Sequence, residues 1–161
     1  MQQLFAPWRF AFVSSAAPAE GCVFCRAAAG GDDELLLWRG ERTFAMLNRY
    51  PYTSGHAMVA PLRHVAELGD LDGAELTEMM QLAQSVVAAL QVSYHPHGCN
   101  LGMNLGEAAG AGIVDHLHLH VVPRWRGDTN FMSVAGGVRV LPEDLAVTCR
   151  KVREAMEAAR G

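Results

Sequence analysis

No apolar run in this 161-residue chain approaches the ~20 residues that a membrane-spanning helix needs. An excess of positive charge is missing too: 13 Lys and Arg stand against 17 Asp and Glu, a net charge of −4. General nucleic-acid binding relies on a basic surface and is disfavoured, so phosphate must be met by a local site of His, Arg and backbone N–H groups. Only 19% of residues are charged and 50% are hydrophobic, so a sizeable core can form and disorder is not expected. The four cysteines make no disulfide framework of the secreted kind, because two form a C-x-x-C pair and two are isolated. Residues 1–20 lack the charged start of a secretion signal, and Trp8-Arg9 interrupts their short apolar part. They read as a mature arm whose Phe5, Trp8, Phe10 and Phe12 pack on the domain or on a partner subunit. The expected compartment is the cytoplasm. With no internal repeat and no long linker, one domain over 1–161 is expected.

What the chain does have is concentrated in DHLHLHVVPRW, from Asp115 to Trp125. His116, His118 and His120 alternate with Leu117, Leu119 and Val121, the period of a β-strand with successive side chains on opposite faces. Such a strand would set the three imidazoles about 6.6 Å apart along one face and send the apolar residues to the core. A lone histidine is usually a core or surface residue, but clean alternation of three is not explained that way. The row can bind a metal, or it can supply a nucleophile with polar neighbours that orient it.

Upstream, Cys22-Val23-Phe24-Cys25 admits three readings: a redox pair, half of a zinc site, or coincidence. A redox pair wants a strand before it and a long helix after it, and the flanking residues offer neither. Residues 35–38 and 42–47 are apolar runs around Arg39-Gly40-Glu41, the pattern of a hairpin, and 56–61 is a further strand closed by Pro61. Residues 72–94 form the first long helix. It opens with a capping box (Asp72, Glu75) and carries an apolar face of Leu76, Met79, Met80, Ala83, Val86, Val87 and Leu90. His95 and His97 lie in a breaker segment and are assigned to solvent. Residues 100–105 read as a strand. A loop with Gly106, Gly110 and Gly112 follows, whose successive N–H groups can form an anion-binding nest. No Lys-Ser/Thr follows it, so it is not a P-loop, and it leads into a strand, so it is not a dinucleotide fingerprint. Pro142-Glu143-Asp144 starts a second helix with the stripe Leu145, Cys149, Val152 and Met156, which makes Cys149 a structural thiol. Cys99 has no evident partner. Short strands with helices between and after them suggest an α+β domain on an antiparallel sheet.

His116-Leu-His-Leu-His-Val-Val122 resembles the signature of the histidine-triad superfamily of nucleotide hydrolases and transferases. Cys22–Cys25, Asn48 through Gly55-His56, Pro61-Leu-Arg-His64, Asn104-Leu-Gly-Glu and Pro123-Arg-Trp125 fall in that family's order. The resemblance runs from about Phe5 to Ala158 and is closest to the bacterial branch similar to diadenosine tetraphosphate hydrolases and phosphorylases. It implies a histidine-triad fold, an antiparallel sheet of about five strands with two main helices. It also implies that His118 is the nucleophile forming a nucleotidyl–histidine intermediate on a dinucleoside polyphosphate. His120 would then hydrogen-bond the phosphate, and His56 would fix the orientation and tautomer of the nucleophile. Asn48 would bind the ribose, and Asn104 with the backbone of Ala111 and Gly112 would hold the α-phosphate. A structural Zn²⁺ on Cys22, Cys25, His64 and His116, and a homodimer joined through the first long helix and the edge near 100–105, complete the expectation. Phosphate-dependent cleavage, phosphoramidate cleavage and a nucleotide-sensing module are the alternatives. The loop carries Gly112 where similar phosphorylases are expected to have a serine, which tilts the reading toward water as acceptor.

Overall fold

The computed structural model describes residues 21–30, 34–128 and 143–159. The expected arm over 1–20 and Pro142 lie outside the described residues. In chain order come helix α1 (Val23–Ala28), strands β1 (Leu36–Arg39), β2 (Thr43–Leu47) and β3 (Ala57–Pro61), and helix α2 (Gly73–Tyr94). Strands β4 (Gly98–Met103) and β5 (Leu119–Arg124) and helix α3 (Leu145–Ala158) follow. The five strands form one sheet in the order β1-β2-β3-β5-β4, antiparallel at every pairing. The α+β expectation, with about five antiparallel strands and two main helices, is what the structure has. Among the described residues no helix is long and apolar enough to cross a membrane.

The register decides which face holds the chemistry. Residues of β2 and β3 are buried throughout, so both faces of the sheet centre are covered. Thr43 receives Glu78 of α2, whose Oε1 accepts from the Thr43 N–H and hydroxyl at 2.9 Å and from the Arg42 N–H at 3.0 Å. Thr43, Ala45 and Leu47 therefore face α2, while the alternate residue Phe44 meets Phe24 of α1 at 6.4 Å between ring centroids. Phe44 pairs with Ala60, Met46 with Met58, and Met58 with His120. His120 thus lies on the α1 face, with α2 and the bulk of the core behind the sheet. Gly40 lets Glu78 reach the hairpin: a Cβ there would stand 2.2 Å from the carboxylate.

Helix α2 starts at the expected capping box, Asp72 Oδ1 accepting from Glu75 N–H at 2.8 Å and Glu75 Oε2 from Asp72 N–H at 3.0 Å. Its buried face differs from the expected one. Leu76 is 38% and Met80 50% exposed, and Leu82, Ala89 and Glu75 are buried in their place, with Met79, Ala83, Val86 and Leu90 as expected. The stripe is rotated because Glu75 turns inward onto Arg63, which grips it bidentately at 2.7 Å through Nε and Nη2. That guanidinium holds the Glu75 carboxyl down at about 2, below its ordinary 4.5. A depressed carboxylate stabilises the fold above pH ~4.5, and the contribution is lost as the pH falls toward about 2. We expect acid melting curves to show it as about 1–2 kcal/mol, reduced from the full linkage value because water screens the half-exposed guanidinium. In Glu75→Gln the melting temperature should be lower at neutral pH and this part of its acid dependence absent.

Three boundaries depart from the sequence reading. The strand expected over 100–105 runs from Gly98 to Met103, since His97 N–H already pairs with the Arg124 carbonyl at 2.8 Å. The last helix begins at Leu145, with Asp144 Oδ1 capping the Ala146 N–H at 2.8 Å, later than the expected start at Pro142. The third is the histidine strand, whose ladder starts only at Leu119. Leu117 N–H donates instead to the Val65 carbonyl at 2.7 Å, which bends the chain and turns His116 away from the row. The evenly spaced trio is therefore a pair plus one: the rings of His118 and His120 are 4.8 Å apart, closer than the 6.6 Å of a flat strand, and His116 belongs elsewhere.

Candidate active site and metal centre

His116 is fully buried, and its Nε2–H donates to the Pro61 carbonyl at 2.9 Å. A carbonyl can only accept, so in the neutral ring Nδ1 carries the lone pair. Nδ1 lies 3.3 Å from Cys22 Sγ and 3.6 Å from Cys25 Sγ, while His64 Nδ1 lies 3.3 Å from Cys25 Sγ. All four ligand atoms fall within 4.8 Å of one another. A tetrahedral zinc with sulfur at ~2.3 Å and nitrogen at ~2.05 Å spaces neighbouring S and N ligands about 3.5 Å apart. The donor set, the geometry and the hydrogen bond behind His116 all fit such an ion. Burial lowers the His116 pKa, helped by His64 and His118 nearby, and so keeps the ring in the neutral form a metal requires. Burial also pushes the Cys25 thiol up, with Cys22 beside it adding to the rise.

Past His116 the chain presents His118, 6% exposed. Its Nδ1–H donates to the His116 carbonyl at 2.9 Å, which leaves the Nε2 lone pair available. Burial lowers the His118 pKa and outweighs the opposing hydrogen bond, so the ring is neutral below its ordinary 6.5. His56 is fully buried at the start of β3. Its Nδ1 accepts the Tyr52 N–H at 3.1 Å, so its proton sits on Nε2 and points to His120 Nδ1, 3.0 Å away. His120, with Nδ1 accepting, holds its own proton on Nε2. The expectation that His56 fixes the tautomer of His118 is corrected here: His56 bonds His120, and a backbone carbonyl sets His118.

Asn48 closes β2 beside His56, its N–H bonded to the His56 carbonyl at 2.8 Å and its Nδ2 3.5 Å from His56 Nδ1. Its Oδ1 accepts the Tyr50 N–H at 2.9 Å and shapes the loop before Gly55. Gly55 has φ +80°, and a Cβ would stand 2.6 Å from Leu90 Cδ2. Gly55→Ala therefore combines left-handed strain with crowding. We expect it to cost about 2–4 kcal/mol in denaturant unfolding and to displace His56. Asn104 follows Met103, which pairs with Leu119, and donates from Nδ2 to the Gly110 carbonyl at 3.4 Å. Ala111 and Gly112 lie in the turn that returns to His116, with Gly112 exposed. His95 and His97 are exposed as expected, His97 Nδ1 accepting the Arg126 N–H at 2.8 Å. Cys149 is buried and its thiol faces the Leu36 carbonyl, the structural role expected of it.

Two aromatic residues escaped the sequence reading. Tyr52 stacks on His56 at 4.5 Å, and Phe24 lies 4.7 Å from His118 and 5.2 Å from His116. Their signals were an aromatic inside the C-x-x-C pair and another four residues before His56.

The model of the HIT domain family matches residues 31–127. The AP-4-A phosphorylase of Mycobacterium tuberculosis is 41% identical over 93% of this chain and 82% of its own. A Zn-bound histidine triad family protein from Mycobacterium smegmatis superposes with a TM-score of 0.73 at 32% identity, over 87% of this chain and 96% of that one. A hypothetical histidine triad nucleotide-binding protein from Sulfolobus tokodaii gives a TM-score of 0.70 at 26% identity, over 86% of this chain and 94% of that one.

Proposed function

The chain belongs to the HIT domain family, and we propose that it cleaves dinucleoside polyphosphates of the diadenosine tetraphosphate class through a covalent nucleotide on His118. One observation carries this reading: the His118 Nδ1–H is committed to the His116 carbonyl, so the free lone pair of a neutral, buried imidazole is on Nε2. Attack by Nε2 on the α-phosphorus forms an N–P bond and breaks the P–O bond to the leaving nucleoside phosphate. An oxygen of the acceptor then attacks the same phosphorus and releases His118. His120 offers its Nε2–H to a phosphate oxygen, with His56 holding it by the bond at 3.0 Å. Asn48 takes the ribose, and Asn104 with the N–H groups of Ala111 and Gly112 takes the α-phosphate. Cys22, Cys25, His64 and His116 would hold a structural Zn²⁺, which would cross-link helix α1 to the segments around His64 and His116 and, with four protein ligands, would serve the fold and not the reaction.

The acceptor has two readings, each with an observation behind it. The name of the 41% identical relative favours inorganic phosphate, whereas a loop with no side chain at Gly112 favours water. Product analysis on diadenosine tetraphosphate separates them. ADP with ATP, formed only when phosphate is added, means phosphorolysis, and AMP with ATP in its absence means hydrolysis. No turnover under either condition sinks the proposal.

We further propose a homodimer through β4 and α2. β4 is an edge strand, with Leu101 44% exposed on it and Leu105 46% exposed just beyond, and α2 leaves Met80 and Val92 outward. Light scattering at micromolar concentration should give twice the 17.4 kDa chain mass. A particle of single-chain mass would reject the dimer.

A further inference from the structure

Phe24 is used by none of the chemistry above, yet it is fully buried at the point where the two halves of the site meet. Its ring lies 4.7 Å from the His118 ring at a tilt of 36°, 5.2 Å from His116, and 6.4 Å from Phe44 beneath. His118 is anchored by the bond from its Nδ1, and a ring held at one corner depends on its neighbours for its angle. Those neighbours are His120, edge-on at 4.8 Å and 77°, and Phe24 across the face.

Core packing holds the Phe24 ring on one side, against Phe44, but the helix that carries it gives little local support. Helix α1 has six residues, too few to be stable alone. It has no side-chain N-cap, and its first turn is flanked by the sulfurs that converge on His64 and His116. We infer that Phe24 is a positioning residue through which the Cys22–Cys25–His64–His116 cluster sets the angle of the His118 ring, so that metal occupancy is read at the nucleophile. This rests on His118 being the nucleophile. The metal touches no reacting atom in this scheme. When bound it would pin α1, the helix that carries Phe24, whose ring lies against the face of His118.

Phe24→Leu keeps the site apolar and removes the flat face. It should lower kcat for diadenosine tetraphosphate about 10- to 100-fold, the scale of an ångström-level misplacement, with KM changed less than about twofold and full metal content. Removing metal from the wild type should lower kcat by a similar factor. Removing it from Phe24→Leu should add little, because both changes break one link. The direct readout is nitrogen NMR of the histidine rings. Metal-loaded wild type should show a single Nδ1–H form for His118, and both metal-free wild type and loaded Phe24→Leu should show an exchange-broadened mixture. Metal-free wild type that keeps one sharp form and full kcat overturns the inference, as do metal and substitution effects that multiply. If Phe24→Leu folds poorly, Phe24→Met and the loaded-against-stripped wild type carry the same test. A wild type without turnover would reject His118 chemistry, and the ring signals would still test the link from metal to His118.

Discussion

His118→Ala is expected to lower turnover of diadenosine tetraphosphate by about 10⁴-fold or more while nucleotide still binds. The neighbouring imidazoles of His116, His56 and His120 have their lone pairs engaged. That of His116 points at the cysteines, that of His56 is taken by the Tyr52 N–H, and that of His120 by His56 Nε2–H. Among these four rings, Nε2 of His118 is the one left to attack phosphorus. His118→Asn, closer in size, should lose the same activity with less disturbance of a site only 6% exposed. The pH profile gives an independent check. Because burial lowers the His118 pKa below 6.5, kcat/KM should hold steady from neutral pH down past 6.5 and fall only in more acidic solution. The same shift has a stability side: below pH 6.5 the unfolded chain takes up a proton that buried His118 refuses, so the fold weakens as the pH drops. Retained activity in His118→Ala, abolished in His120→Ala, would transfer the nucleophile's role to His120.

Stripping the metal is expected to lower the melting temperature by about 10 °C. A ligand free at a thousand times its Kd contributes about 4 kcal/mol, and a domain of this size loses roughly 2–4 °C per kcal/mol. Local unfolding should begin at α1 and the segment around His64, because the sheet is held by its own hydrogen-bond ladder and α2 packs behind it. Calorimetry of metal-loaded and chelated protein, with Cys22→Ser as a genetic counterpart, measures the effect. Full recovery of the melting temperature on adding Zn²⁺ is part of the expectation. A melting temperature that chelation leaves unchanged would dismiss the metal as a structural element.

The two halves of the site were unequally legible in the sequence. Metal ligation requires particular side chains: the C-x-x-C pair marked half of a candidate site, the family resemblance pointed to His64 and His116 as the other half, and the structure brings all four together. The directions of the protons could not be named. They are set by the Pro61 and His116 carbonyls and by the Tyr52 N–H, groups that every peptide unit offers and that no letter of the sequence marks. The fold divides in the same way. Capping at Asp72 and the hairpin around Gly40 follow local rules and were read correctly. The rotated stripe of α2 and the late start of β5 depend on Arg63 and Val65, residues distant in sequence from what they control.

The bond from His56 to His120 has a consequence for the leaving group. The Tyr52 N–H donates to His56 Nδ1 and the His56 Nε2–H to His120 Nδ1, so each ring in the series carries a single ring proton. Were His120 to surrender its proton, His56 would have to replace it and be left an imidazolate, a form too costly near neutrality. The series thus behaves as a one-way dipole: it can steady negative charge on a departing oxygen but cannot acidify it. A polyphosphate departs as a stable anion and needs only that steadying, whereas an amine would have to collect its proton from elsewhere.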